Sequence, residues 1–173
     1  MSLILRDWHP SDREDVVLAC NDPMTSDWLE VLPRPYTLDD ADFFISDSAE
    51  QARLIRGYHF AVARGPHERV LGAIGMSVSP GAPHIGTIGY WTAPWARRQG
   101  VARQSCDLIM EWAKGSTDVV RFQAHVDPAN AASRGVIEAA GFHCEGLQRS
   151  VLAGREGVLR DMLIYARIES TRT

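Results

Sequence analysis

The apolar positions along the chain change their period twice, and each change marks a different kind of element. Near the N-terminus, Leu3 to Arg6 reads as a short first strand, and Ser11-Asp12-Arg13-Glu14 carries the Ser-x-x-Glu spacing of a capping box. A helix is expected to run from there to about Cys20. Pro23, Pro33 and Pro35 make the next stretch irregular, until Thr37-Leu38-Asp39-Asp40 offers a second acidic helix start ahead of Ala41, Phe43, Phe44 and Ile45. That helix should reach about Leu54.

From Tyr58 the spacing gives way to β-branched and aromatic runs, YHFAVA, VLGAIGMSV and HIGTIGYWT, which predict consecutive strands in an antiparallel meander. After Pro94 the helical period returns, with Val101, Leu108, Ile109 and Trp112 at helical spacing, Ala102, Cys106 and Ala113 beside them, and Gly115 as the expected end. VVRFQAHV then reads as a strand and NAASRGVIEAA as a short helix closed by a left-handed Gly141. FHCEGLQRSVLAGREGVLRDMLIYARI reads as two strands joined at Ala153 to Gly157. The order β-αα-βββ-α-β-α-ββ predicts an α/β protein with a mixed sheet and helices on both faces.

At 173 residues, 45% of them apolar and 23% charged, the chain fits one domain over residues 1–173 that needs no disulfide or metal staple. Cys20, Cys106 and Cys144 form no Cys-x-x-Cys pair, and the six His residues show no His-x-x-x-His or Glu-x-x-His spacing, so no disulfide framework and no metal are predicted. A reducing cytoplasm fits best. The opening MSLILRDWHPSDRED has too short an apolar run for a signal peptide or a membrane helix. A net charge of -4 gives no general field for nucleic acid, and Trp91, Trp95 and Trp112 are expected in the core rather than as a base-stacking platform.

The segment with the most chemistry is Tyr90-Trp91-Thr92-Ala93-Pro94-Trp95-Ala96-Arg97-Arg98-Gln99-Gly100-Val101-Ala102, which joins a strand to a helix start. Amides at such a start lack intrahelical acceptors and lie at the positive end of the helix dipole, so they can close around a pyrophosphate. Gly100 lets phosphates approach the backbone, Ala102 keeps the next turn slim, and Arg97, Arg98 and Arg103 can add charged contacts. Nucleoside triphosphate and dinucleotide loops are poor matches, because neither of their glycine patterns is present. Taken alone, Arg-x-x-Gly-x-Ala is also compatible with a helix entry whose arginines are merely solvated.

This segment resembles the acetyl-CoA-binding motif of the GNAT superfamily, Gln/Arg-x-x-Gly-x-Gly/Ala after a central strand. Asp127-Pro128-Ala129-Asn130-Ala131-Ala132-Ser133, followed by Gly141-Phe142, looks like the Asn-x-x-Ser and Gly-Phe block of its Rim-type branch, the protein N-terminal alanine acetyltransferases. LILRDWHPSDRED, PYTLDDADFFI, IGYW and RDMLIYAR are also typical of that branch. The resemblance implies the GNAT fold, a mostly antiparallel seven-stranded mixed sheet whose fourth and fifth strands splay apart around the pantetheine arm of acetyl-CoA. It implies cofactor contacts at Trp91, Thr92, Arg97, Arg98, Gln99, Gly100, Val101, Ala102 and Arg103, with Asn130 and Ser133 beside the arm. A homodimer is one assembly open to it.

Acetyl transfer needs a neutral amine, a polarised thioester carbonyl and an exit for the thiolate. Backbone amides near Trp91 and Thr92 would stabilise the oxyanion. Ser133 is the chosen proton donor to the thiolate; the alternative is that Asn130 simply caps its helix and Ser133 is an ordinary first-turn residue. Tyr165 on the last strand is a second hydroxyl for the sulfur, or else a core residue. For the base, relatives often place a Glu at or after the fourth strand, but HIGTIGYWTAP has no carboxylate. His125 could serve, or a water chain, since an α-amine is partly neutral near pH 7. The expected function is N-acetylation of a peptide N-terminus or a small amine, and the alternative from a different class is a catalytically idle acyl-CoA-binding module. Trp28, Tyr36 and Arg149 could line the acceptor groove or pack locally.

Overall fold

In the computed structural model, which describes residues 2–29, 31–55 and 57–169, the elements follow the expected order with one addition. β1 (Ile4–Arg6) leads to α1 (Arg13–Asn21), a one-turn α2 (Pro23–Ser26) and α3 (Leu38–Ile55). β2 (Gly57–Ala63), β3 (Gly72–Ser79) and β4 (Ala82–Thr92) follow, then α4 (Val101–Ser116), β5 (Arg121–Val126), α5 (Ala131–Ala139), β6 (His143–Ala153) and β7 (Leu159–Ile168).

The addition is α2. Pro23 presets φ for a first helical turn, and the amides of Thr25 and Ser26 donate to the Asp22 carbonyl at 2.9 and 2.8 Å, so part of the stretch expected to be irregular closes one turn. The Ser11–Glu14 capping box does not form. Asp12 displaces it, because its carboxylate accepts the His9 amide at 2.9 Å and both Arg6 terminal nitrogens at 2.7 and 2.9 Å. Such a bidentate charged pair outcompetes a neutral hydroxyl. The second helix start keeps its reciprocal caps, with the Asp40 amide on Thr37 Oγ1 at 3.2 Å and the Thr37 amide on Asp40 Oδ2 at 2.8 Å. α4 passes through Gly115 to Ser116, because the Thr117 amide closes the last turn on Ala113 at 2.9 Å and no left-handed residue is needed.

Seven strands form one sheet in the order β1-β2-β3-β4-β5-β7-β6. Every neighbouring pair is antiparallel except β4 and β5, which run parallel. Strand alternation sorts the helices onto two faces. Tyr58 and Phe60 of β2 turn to Trp112 of α4, with centroids 4.7 and 4.9 Å apart, and Tyr90 of β4 reaches Ser133 of α5. His59 of β2 turns the other way to Phe44 of α3, and Phe44 packs on Trp8, as does Trp91 of β4. α4 and α5 therefore share one face, while α3 lies on the other. The larger core sits against α4 and includes Ile74, Met76, Ile109 and Phe122; Val16, Cys20, Tyr36 and Ala41 form a second cluster that ties α1 to α3. No helix among the described residues is long and apolar enough to cross a membrane.

Candidate active site

The parallel pair is where the sheet opens. Its ladder comprises Ile85–Arg121, Gly86–Phe122 and Thr87–Gln123, and there it stops, while β4 runs on to Thr92 and β5 to Val126. Gln123 Nε2 donates to Thr87 Oγ1 at 2.9 Å, a side-chain bond at the last rung. Beyond it, Gly89 is exposed, and a Cβ added there would meet nothing within 4 Å, so the sheet face is uncovered at that point of β4. In a mostly antiparallel sheet, the carboxyl ends of a lone parallel pair mark a crevice where a ligand can enter. Trp91 and Thr92 lie at that end of β4 and are half-buried.

The loop after β4 makes a 3-10 turn at Pro94–Ala96 and then two left-handed steps, Arg98 at φ 59° and Gly100 at φ 73°. Gly100 is the N-cap of α4 and has no side chain to offer it. The first helical bond into this end is the Gln104 amide on the Gly100 carbonyl at 3.0 Å, which leaves the amides of Val101, Ala102 and Arg103 without intrahelical acceptors. This donor set fits a diphosphate. An added Cβ at Gly100 would meet only Gln104 Nε2 at 3.2 Å, so the local requirement for glycine is the positive φ rather than crowding within the protein.

The arginines divide by role. Arg98 and Arg103 are exposed at the loop and the first turn, and Arg103 bridges to Asp107 at 3.2 Å and to the Ala139 carbonyl at 3.3 Å. Gln99 is exposed and bonds the Trp95 carbonyl at 3.0 Å. Arg97 is instead turned into the fold, where its guanidinium pairs with Asp22 and donates to Thr25 Oγ1 at 2.8 Å.

On the other side of the opening, Asn130 Oδ1 accepts the Ser133 amide at 3.0 Å and caps α5. Ser133 Oγ lies 2.9 Å from the hydroxyl of Tyr90, which also contacts the Ser133 carbonyl at 3.2 Å. Burial pushes the Tyr90 hydroxyl well above its ordinary pKa; the Ser133 bond works against this and the Cys106 thiol adds to it. Tyr90 thus stays protonated at neutral pH and can hold the serine hydroxyl from the β4 side.

A parallel pair that parts at its carboxyl ends, an uncapped helix start beside it and a half-buried serine–tyrosine contact together outline a cleft suited to an elongated anionic ligand. Residues 2–143 match the family model for the acetyltransferase (GNAT) domain. The chain belongs to the GNAT acetyltransferase family. A relative from Bacillus subtilis strain 168, the probable N-acetyltransferase YjcK, is 28% identical over 115 residues, which is 66% of this chain and 64% of YjcK. Among solved structures, this GNAT chain resembles RimJ of Mycobacterium smegmatis in complex with CoA-disulfide at a TM-score of 0.82, with 22% identity over 96% of this chain and 81% of that one. It also resembles the microcin C7 self-immunity acetyltransferase MccE in complex with acetyl-CoA and AMP, at a TM-score of 0.81 and 16% identity, covering 96% and 92% of the two chains. The seven-stranded sheet with its parallel pair is the GNAT fold that the motifs implied.

Not every candidate of this GNAT chain faces the cleft in the same way. Tyr165 is buried in the core beneath α5, and its hydroxyl donates to Glu138 at 2.8 Å. Burial raises its pKa, with Arg134 opposing and Glu138 reinforcing the shift. His125 sits one residue before the end of β5, with Nε2 2.8 Å from Gln148 Oε1, on the strand parity shared with Gln123. Tyr36 is buried in the second cluster, whereas Trp28 and Arg149 are exposed. Tyr90 was missing from the sequence-derived candidates. Its parity was a usable signal, since residues two apart on β4 share a face and Ile88 is a core residue against α4. No cluster of metal-ligating side chains occurs among the described residues.

Proposed function

We propose that this chain, acting as one domain, transfers acetyl from acetyl-CoA to a primary amine by direct attack in a ternary complex. The observation that carries the reading is the set of orphan amides at Val101, Ala102 and Arg103 beside the opening of β4 and β5. They would take the diphosphate, with Arg98 and Arg103 adjoining it, and the arm would run between the strands. MccE and RimJ, solved with acetyl-CoA and with a CoA-disulfide, share this architecture. The Rim-type likeness favours a protein N-terminal α-amine as acceptor. Three free cysteines, two of them buried, suit a reducing cytoplasm.

In this scheme the amine nitrogen attacks the thioester carbonyl, whose oxygen is held by amides near Trp91 and Thr92. The C–S bond breaks, and Ser133 donates its hydroxyl proton to the departing thiolate. Tyr90 supports that step by donating a hydrogen bond to Ser133 Oγ while keeping its own proton, and solvent returns a proton to the serine after the thiol has left. The proton lost by the amine goes to water or to His125, whose ring Gln148 orients. An α-amine needs less assistance than a lysine, because its pKa of about 7.7–8.0 leaves a neutral fraction near pH 7. Tyr165 serves this scheme through α5, where its bond to Glu138 steadies the helix that carries Ser133.

Purified protein mixed with acetyl-CoA and a panel of peptides and small amines should release free thiol only when an amine is present. Binding without thiol release across the panel would favour an acyl-CoA-binding module. Absence of calorimetric heat with either CoA or acetyl-CoA would remove the cofactor assignment altogether.

A further inference from the structure

The segment between α1 and α3 is tied to both lips of the cleft. Its base is clasped by Asn21, whose Nδ2 donates to the Tyr36 carbonyl at 2.7 Å and whose Oδ1 accepts the Tyr36 amide at 2.9 Å. Its described residues, 22–29 and 31–35, leave and return through this clasp in the manner of an Ω-type loop. Arg97, which follows β4, holds the outgoing end through Asp22 and Thr25. Arg155, between β6 and β7, holds the middle and return: its Nη2 lies 2.9 Å from the Leu29 carbonyl, 3.1 Å from Leu32 and 3.2 Å from Ser26, and its Nε donates to Leu32 at 3.3 Å.

Topology places these two anchors at the same end of the sheet. β4 and β5 are parallel, so Arg97 follows the end at which they part. β7 pairs antiparallel with β5, matching Val126 to Leu163, so the β6–β7 turn that carries Arg155 extends beyond the carboxyl end of β5. The loop therefore spans the open mouth from the β4 side to the β5–β7 side. Arg34 stiffens it from within, donating to Ser26 Oγ at 2.9 Å and to Asp27 Oδ1 at 2.6 Å.

We infer that Arg155 is a positioning residue for the acceptor: by gathering the carbonyls of Ser26, Leu29 and Leu32, it holds this loop across the mouth through which the amine must reach the thioester. The inference rests on the acetyl transfer proposed above. Acetyl-CoA itself is gripped at α4, away from these carbonyls, so releasing the strap should disturb the acceptor and spare the cofactor. A guanidinium suits the task because its rigid fork of N–H donors can serve several carbonyls at once.

The test is steady-state kinetics of Arg155→Ala with an alanine-terminated octapeptide, with benzylamine in parallel, alongside calorimetry with acetyl-CoA. The expected result is a rise of about tenfold in peptide KM, a change of less than twofold in the acetyl-CoA dissociation constant, and partial recovery of KM in Arg155→Lys. Arg155→Gln, which keeps N–H donors on a shorter chain, covers an alanine variant too unstable to assay. Unchanged peptide KM in both variants, or a fall in melting temperature with no change in KM, would overturn the inference and leave acetyl transfer standing. Wild-type protein that binds acetyl-CoA yet releases no thiol with either probe or with the peptide and amine panel would overturn both.

Discussion

Two helices begin at the open end of the sheet, and they begin in opposite ways. α5 starts on Asn130, whose side chain satisfies the Ser133 amide at 3.0 Å. α4 starts on Gly100, at φ 73°, with no side chain and with the amides of Val101 to Arg103 left over. Polar backbone left unsatisfied by the protein costs stability unless water or a ligand takes it up, so the bare start is suited to a negatively charged ligand. The capped start is finished structurally and offers its side chains instead, with Ser133 and Tyr90 meeting above it. One helix end presents bare amide donors, and the other presents a hydroxyl.

The largest expected effect comes from making the first start resemble the second. Gly100→Asp places an anion among the orphan amides at a residue type that tolerates left-handed backbone, and acetyl-CoA affinity measured by calorimetry should fall about 100-fold while the fold survives. Retained affinity would mean that the diphosphate lies elsewhere. Next come the hydroxyls. Ser133→Ala should lower kcat on the order of 10- to 100-fold, and Tyr90→Phe about fivefold, the worth of one oriented hydrogen bond, with neither moving the acetyl-CoA dissociation constant by more than about twofold. If both variants turn over like the wild type, the thiolate takes its proton from another source. The smallest effect is at the cap itself. Asn130→Ala should cost about 1 kcal/mol in denaturant unfolding, and an unchanged midpoint would show that the cap contributes nothing to stability.

The contrast explains which parts of the site were readable from sequence. A bare helix start is written locally, as Arg97-Arg98-Gln99-Gly100 after a strand, and Asn130 with Ser133 is an i, i+3 pair on one helix. Both therefore show in a short window. The Tyr90–Ser133 contact joins residues 43 apart, and its only local trace is the parity of β4. The fate of Arg97 was invisible for the same reason. Its basic neighbours suggested a phosphate contact, whereas its partners, Asp22 just before α2 and Thr25 on it, lie 75 and 72 residues away. α2 itself was hidden because three prolines within Pro23 to Pro35 read as breaks, although one of them stands at a helix start, where proline fits. At the Ser11–Glu14 box, a charged pair reaching from β1 displaced a local motif, a competition that a single window cannot weigh.

The Asn21–Tyr36 clasp has a consequence for how such a protein can diversify. Because both bonds of the clasp use the Tyr36 backbone, and Tyr36 is buried with Val16, Cys20 and Ala41, the stretch between them is held at its base independently of its own side chains. Exposed residues in that stretch, such as Met24 and Trp28, can change while the frame beneath keeps its hold. The foundation of the stretch lies in the two elements that flank it.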